Sequence, residues 1–289
     1  MPFSVTDTDV VIEIEGSTAK IALHGAHVYS WSTAGEERLF LSSATSITGP
    51  AAIRGGIPIC FPLFGPPPNR EPFLRMKQHG FARNITWDFL GVTEEANSIQ
   101  ARFDLSYAHK EIQEYRFPKF KCVYTVRLVD HSLSTELEVT NLSEEKIEFQ
   151  ALLHTYLRIP DSKEPKDVRV KSLKGLKFTD KVAEGAVATE AHTEVDFSAG
   201  EVDRVYQRVP GHIEVDLGLG RLIDINTSQL PDLTLWNPHQ NKSDAMADME
   251  KDGWKHFICV EPGQTSFIGL DPSETWTGKQ ELRAKTVKL

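Results

Sequence analysis

The stretch VYTVRLVDHSLSTELEV, Val123–Val139, is a strand, a turn and a returning strand. Val123–Val129 is rich in β-branched and aromatic residues, and Asp130-His131-Ser132 has turn chemistry. The chain then comes back with Leu133, Leu137 and Val139 alternating against Ser134, Glu136 and Glu138. A period of two gives the returning run one apolar and one polar side, the pattern of an antiparallel hairpin. Similar short runs occur at Val11–Ile14, Ala19–Leu23, Ile147–Ile159, Ile213–Leu217, Leu233–Trp236 and Phe257–Val260, separated by Gly, Pro, Asn or Asp. Helical signals are confined to SDAMADME (Ser243–Glu250) and part of AHKEIQEYR (Ala108–Arg116). Many strands without alternating helices predict an all-β fold, a large sandwich or barrel of antiparallel sheets. No repeat, low-complexity tract or linker divides the chain, so residues 1–289 are expected to form a single domain.

Composition narrows the class of partner. With 40% hydrophobic and 25% charged residues, a fibre or a disordered chain is excluded. The net charge of −9 argues against nucleic acid and anionic membranes as partners, while leaving room for a local basic pocket that takes an anionic small molecule. Cys60, Cys122 and Cys259 form no CxxC pair, so neither a disulfide framework nor a structural zinc site is expected; reduced, buried thiols are. The opening MPFSVTDTDVVIEIEG lacks a basic start with a long apolar run, and no later stretch has the apolar length of a membrane span. A cytoplasmic monomer is the expectation.

Two strands carry chemistry-bearing residues. In IEFQALLHTYLRI, Ile147, Phe149, Ala151, Leu153, Thr155 and Leu157 share one face, and Gln150, Leu152, His154, Tyr156 and Arg158 the other. The second face reads as a functional concavity or as an ordinary polar sheet face. In KHFICVEPGQTSF the apolar run ends at Glu261, before Pro262-Gly263. A carboxylate at such a strand end points into a cleft as a base, or sits as a solvated turn residue.

Taken together, IRGGIPICFPLFGP from Ile53, QHGFAR at Gln78–Arg83, HTYLRI at His154–Ile159, VDRVY at Val202–Tyr206, LWNP at Leu235–Pro238 and CVEPG at Cys259–Gly263 resemble the glucose-6-phosphate 1-epimerases of the aldose 1-epimerase superfamily. The motifs run in the same order over most of the chain. The resemblance implies a β-supersandwich of the galactose mutarotase-like type, a cofactor-free, metal-free reaction and a hexose 6-phosphate substrate whose α and β anomers interconvert. By motif matching, His154 falls at the general acid and Glu261 at the general base. His79 falls at a second histidine that bonds the ring oxygen O5 or a neighbouring hydroxyl; the alternative is a brace for its turn. Asp203, Gln78 and Trp236 would line the sugar site, with Trp236 equally readable as core. Arg54 and Arg83 lie in the motifs that resemble the phosphate-handling part, where the guanidinium fork suits phosphate oxygens. Gly55 and Gly56 would let backbone come close there; an Arg54 that pins its loop to a carboxylate is the alternative. The chain departs from the family pattern at Leu63, where a second aromatic is more usual, which puts the pocket's shape in question.

The chemistry needs no more than this pair. Opening the ring removes a proton from the C1 hydroxyl and delivers one to O5, which an acid and a base within hydrogen-bond reach accomplish. A relative acting on neutral aldoses would keep His154 and Glu261 without needing both arginines, and a non-catalytic sugar-phosphate sensor would bind without exchange. His24 and His27 point to opposite faces on a strand, so a metal pair is not expected. GPPPNREP reads as a surface loop, and LGLGRL lacks the residues that follow in a nucleotide loop.

Overall fold

The computed structural model describes residues 2–287. Among these residues the strands pair antiparallel in sheets of five, nine and eight. The opening hairpin is present: Phe120–Val129 pairs with Ser132–Asn141, with Leu128 opposite Leu133, Tyr124 opposite Leu137 and Cys122 opposite Val139. His131 closes the turn at φ 55°. This hairpin lies inside the nine-stranded sheet, flanked by Ser98–Ser106 and Thr275–Thr286. The five-stranded sheet runs in sequence order from Phe3–Val5 to Glu36–Glu37. One apolar cluster draws on all three sheets, taking in Ile21 and Trp31, Leu137 and Val139, and Phe149 and Leu235. Cys60, Cys122 and Cys259 are buried free thiols.

The eight-stranded sheet positions the site. Its centre is Phe257–Leu270, paired on one side with Asp232–Asn237 and on the other with Ile147–Leu153 and Tyr156–Arg158. Beyond Asp232–Asn237 come Val202–Tyr206 and then Lys177–Asp180. Alternation holds across these strands. Phe149, Leu233, Leu235, Ile258 and Val260 enter the core, while Asp203, Thr234, Trp236 and Glu261 turn to the opposite face.

Three local expectations are corrected. Glu261 does not end its strand, because the strand continues through Pro262 and Gly263 to Leu270. A proline is tolerated in this central strand where its neighbour fails: the ladder on that side breaks between Leu152↔Gly263 and Tyr156↔Cys259. Ile147–Ile159 is accordingly two strands, interrupted at His154-Thr155, and Leu152 and Tyr156 on its polar face are buried. The interruption is stitched to the IRGGIP segment, with the His154 N–H donating to Pro58 O and the Tyr156 N–H to Gly56 O, both at 2.9 Å. Finally, the helix anticipated in SDAMADME lies upstream at His239–Asp244; the other, Lys110–Glu114, falls within AHKEIQEYR as expected. Among the described residues no helix is long and apolar enough to cross a membrane.

Candidate active site

A cavity of about 580 Å³ opens on the polar face of the eight-stranded sheet, within the range of small-molecule sites. Every side chain that the resemblance assigned to catalysis, sugar or phosphate lines it: Arg54, Gln78, His79, Arg83, His154, Asp203, Trp236 and Glu261.

The segment around Arg54 is held by close backbone approach. A Cβ on Gly55 would lie 2.3 Å from Phe40 O, and one on Gly56 2.2 Å from Val28 O and 2.5 Å from His27 Nε2. Both residues have positive φ, so only glycine fits. His27 Nε2 bonds Gly55 O and His24 Nε2 bonds Ala51 O, each at 2.9 Å. Burial pushes His27 down to about 3, so it braces the loop as a neutral ring. Arg54 itself is engaged: its Nη1 donates to Tyr156 Oη at 3.1 Å and its Nε to Asp248 Oδ2 at 3.2 Å, with Nη2 ion-paired to the same oxygen at 3.1 Å. Arg54 thus lines the cavity and also pins its segment. Leu63 is fully buried in the core; the cavity wall is Phe64.

Arg83 stands differently. Its Nη2 donates to Gln78 O at 3.0 Å, its Nε is buried without a partner, and among the described residues no carboxylate pairs with it. His79, in the same loop, accepts from the Gly65 N–H at Nδ1. A neutral ring then carries its proton on Nε2, 3.2 Å from the Gln78 Nε2 position, and the two groups bond with the amide flipped to put its oxygen there. Burial, reinforced by Arg83 and Lys181, keeps His79 well below the usual imidazole range. It is a neutral donor at the cavity wall.

His154 and Glu261 form the floor, with Nδ1 3.2 Å from Oε1. Their rings and neighbours fix them: His154 stacks on Tyr156 at 4.8 Å and meets Trp236 edge-on at 5.7 Å, while Thr234 lies directly across the ladder from Glu261. His154 Nδ1 and both Glu261 oxygens are buried and lack aligned hydrogen-bond partners. Desolvation pushes His154 well below its ordinary value, helped by His79 and Arg83. It pushes Glu261 well above its own, Asp203 adding to the effect and Lys181 and Arg83 opposing it. Trp236 serves twice, as cavity wall and as part of an apolar cluster with Phe40, Tyr156 and Phe257. Asp203, whose pKa burial raises, lies 3.5 Å from Lys181 Nζ.

Sequence reasoning missed Lys181, which follows the Lys177–Asp180 strand, sits over Phe64 at 4.2 Å and reaches the cavity. Nothing in KFTDKVAEG separates it from a surface lysine. It also missed Lys242, paired with Glu201 at 2.6 Å. Four cationic side chains, Arg54, Arg83, Lys181 and Lys242, thus meet two carboxylates, Asp203 and Glu261, in a chain that is acidic overall. The cavity suits an anion joined to a hydroxylated body.

Known proteins match this chain along nearly its whole length. The profile of the family described as Aldose 1-epimerase matches residues 9–283. A Cenchrus ciliaris protein named "Putative glucose-6-phosphate 1-epimerase" is 34% identical over 280 residues, covering 92% of this chain and 81% of its own. The Escherichia coli K12 protein of the same name is 34% identical over 262 residues, covering 89% and 83%. The Salmonella typhimurium YeaD crystal structure, "a putative mutarotase", superposes with a TM-score of 0.86 at 28% identity, covering 99% of this chain and 93% of that one. The β-rich architecture is thus that of galactose mutarotase-like structures, also matched in Lactobacillus acidophilus with a TM-score of 0.77. From its second strand to its last, the chain belongs to the aldose 1-epimerase family, isomerases that interconvert the anomers of sugars.

Proposed function

We propose that this protein interconverts the α and β anomers of glucose 6-phosphate and related hexose 6-phosphates. The observation that carries the reading is a buried His154–Glu261 pair, 3.2 Å apart, at the floor of a cavity whose wall holds an arginine without a carboxylate partner. The names of the plant and bacterial relatives agree with it. Glu261 takes the C1 hydroxyl proton and His154 gives a proton to O5; the C1–O5 bond breaks to the aldehyde, rotation about C1–C2 exposes the other face, and the reverse transfers close the ring. The sugar replaces Gln78 as acceptor of the His79 Nε2 proton, and Asp203 accepts from hydroxyls.

The pair carries one proton through the cycle. In the empty site, desolvation favours neutral His154 beside protonated Glu261. Sugar hydroxyls donating to Glu261 stabilise its ionised form, and a phosphate beside Arg54 and Arg83 offsets the cations that depress His154. Substrate binding thereby moves the proton to where ring opening needs it.

Anomer exchange measured by NMR magnetisation transfer tests the reading, with glucose as the control sugar. Strong acceleration for glucose 6-phosphate and weak acceleration for glucose are expected. Equal acceleration would make this an enzyme of neutral aldoses, and tight binding without exchange would make it a sensor.

A further inference from the structure

Cys259 has no part in the chemistry above, yet its position is specific. It lies two residues before Glu261 on the same face of the Phe257–Leu270 strand, and across the ladder from Tyr156, which follows the His154 break. One donor atom each from His154, Cys259 and Glu261 consequently falls within 4.8 Å of the others, and all three side chains are buried. Independently, among the described residues His154 Nδ1 and both Glu261 oxygens are buried without a hydrogen-bond partner in good alignment. A mixed nitrogen, sulfur and oxygen donor set of this size suits a tetrahedral, borderline-soft dication and not the oxygen-seeking Mg²⁺ or Ca²⁺.

We propose that His154, Cys259 and Glu261 form an inhibitory capture site for a soft divalent cation of the Zn²⁺ type. Bonds of about 2.0–2.3 Å require the donors to draw together, so the metal is captured by adjustment and does not sit in a preformed structural cage. His154 and Glu261 line the cavity, whereas Cys259 lies behind them, so the cation enters from the sugar side and keeps its fourth position open to it. Binding releases two protons to solvent, one from the Cys259 thiol and one from the Glu261 carboxyl, and leaves a thiolate and a carboxylate beside the neutral imidazole as ligands. Inhibition rests on the proposed catalysis, because the metal occupies both proton carriers; binding itself does not.

Co²⁺ added to the intact, metal-free protein reads the site without any turnover. Tetrahedral d–d bands and a near-ultraviolet thiolate-to-cobalt band are expected in the native protein and in Cys60→Ala, and the thiolate band is expected to vanish in Cys259→Ser and Cys259→Ala. Zn²⁺ at about 0.1 mM should slow anomer exchange by about tenfold or more relative to the metal-free rate, reversibly with chelator. Mg²⁺ at the same concentration should do nothing, and each Cys259 variant, scaled to its own metal-free rate, should lose most of the Zn²⁺ effect. A cobalt spectrum without the thiolate band, no Zn²⁺ effect on exchange by the native protein, or equal Zn²⁺ inhibition in the native protein and both Cys259 variants would overturn the proposal. Should exchange be absent altogether, the catalytic reading fails while the cobalt spectrum still judges the site.

Discussion

Glu261 keeps a carboxylate in the interior of a sheet, with no aligned partner and a neighbouring imidazole at 3.2 Å. Glu261→Gln preserves the shape and removes the base, so anomer exchange is expected to fall by about 10²–10⁴-fold while sugar-phosphate binding, followed by calorimetry, survives. Near-native exchange in a folded variant would refute the assignment. The pH profile follows from the same burial. As pH falls, the pair gains a second proton and Glu261 can no longer accept; because His154 is depressed, that acid limb of kcat/KM is expected below the ordinary imidazole value of about 6.5. As pH rises, the pair loses its last proton, and the basic limb lies above the ordinary carboxylate value of about 4.3 because Glu261 is raised. An acid limb at or above 6.5 would contradict this. The two arginines should separate. Arg83→Ala is expected to cost about tenfold or more in kcat/KM for glucose 6-phosphate and little for glucose, since it removes a charge-assisted contact. Arg54→Ala should cost stability as well, leaving Asp248 and the Tyr156 hydroxyl without their partner. Equal loss on both sugars in Arg83→Ala would make that arginine structural. His154 was legible because strand alternation and motif order converge on it, whereas Glu261 was reached by motif order, the strand end read there being absent. Lys181 could not, because an exposed lysine after a strand has no local signature and only the fold brings it over Phe64.

The Val123–Val139 hairpin was legible because its register depends on local alternation and a short turn. The break at His154-Thr155 was not, because it is made by a distant partner: Pro262 and the IRGGIP backbone set where Ile147–Ile159 divides. The end of the Phe257–Leu270 strand was misread for the same reason, since Pro262-Gly263 reads as punctuation until the gap beside it is visible. The glycines of IRGGIP make the coupling between these elements testable. In Gly56→Ala, a Cβ 2.2 Å from Val28 O must push the segment outward, carrying Arg54 with it and loosening the Tyr156 N–H bond to Gly56 O. A loss of roughly 1–3 kcal/mol in denaturant unfolding is expected, with a raised KM for glucose 6-phosphate. Native stability and kinetics in Gly56→Ala would mean that the segment relaxes freely.

Residues from Val10 to Leu282 share one apolar cluster, and we propose that the chain unfolds as one domain. Coincident transitions by tryptophan fluorescence and far-ultraviolet circular dichroism in urea are expected; two separated midpoints would divide the chain. The acidic net charge, read from composition, predicted a small partner, but the concentration of cations in one cavity depends on strands far apart in sequence and was invisible in composition. The central place of Phe257–Leu270, late in the chain yet flanked on both sides by earlier strands, also bears on biogenesis. Before that strand inserts, its neighbours on the two sides have no partner between them, and Glu261 is missing from the floor. On the proposed role of Glu261, a chain still emerging from the ribosome is inert and carries two unpaired strand edges open to aggregation, and in refolding, turnover cannot return before this long-range pairing forms.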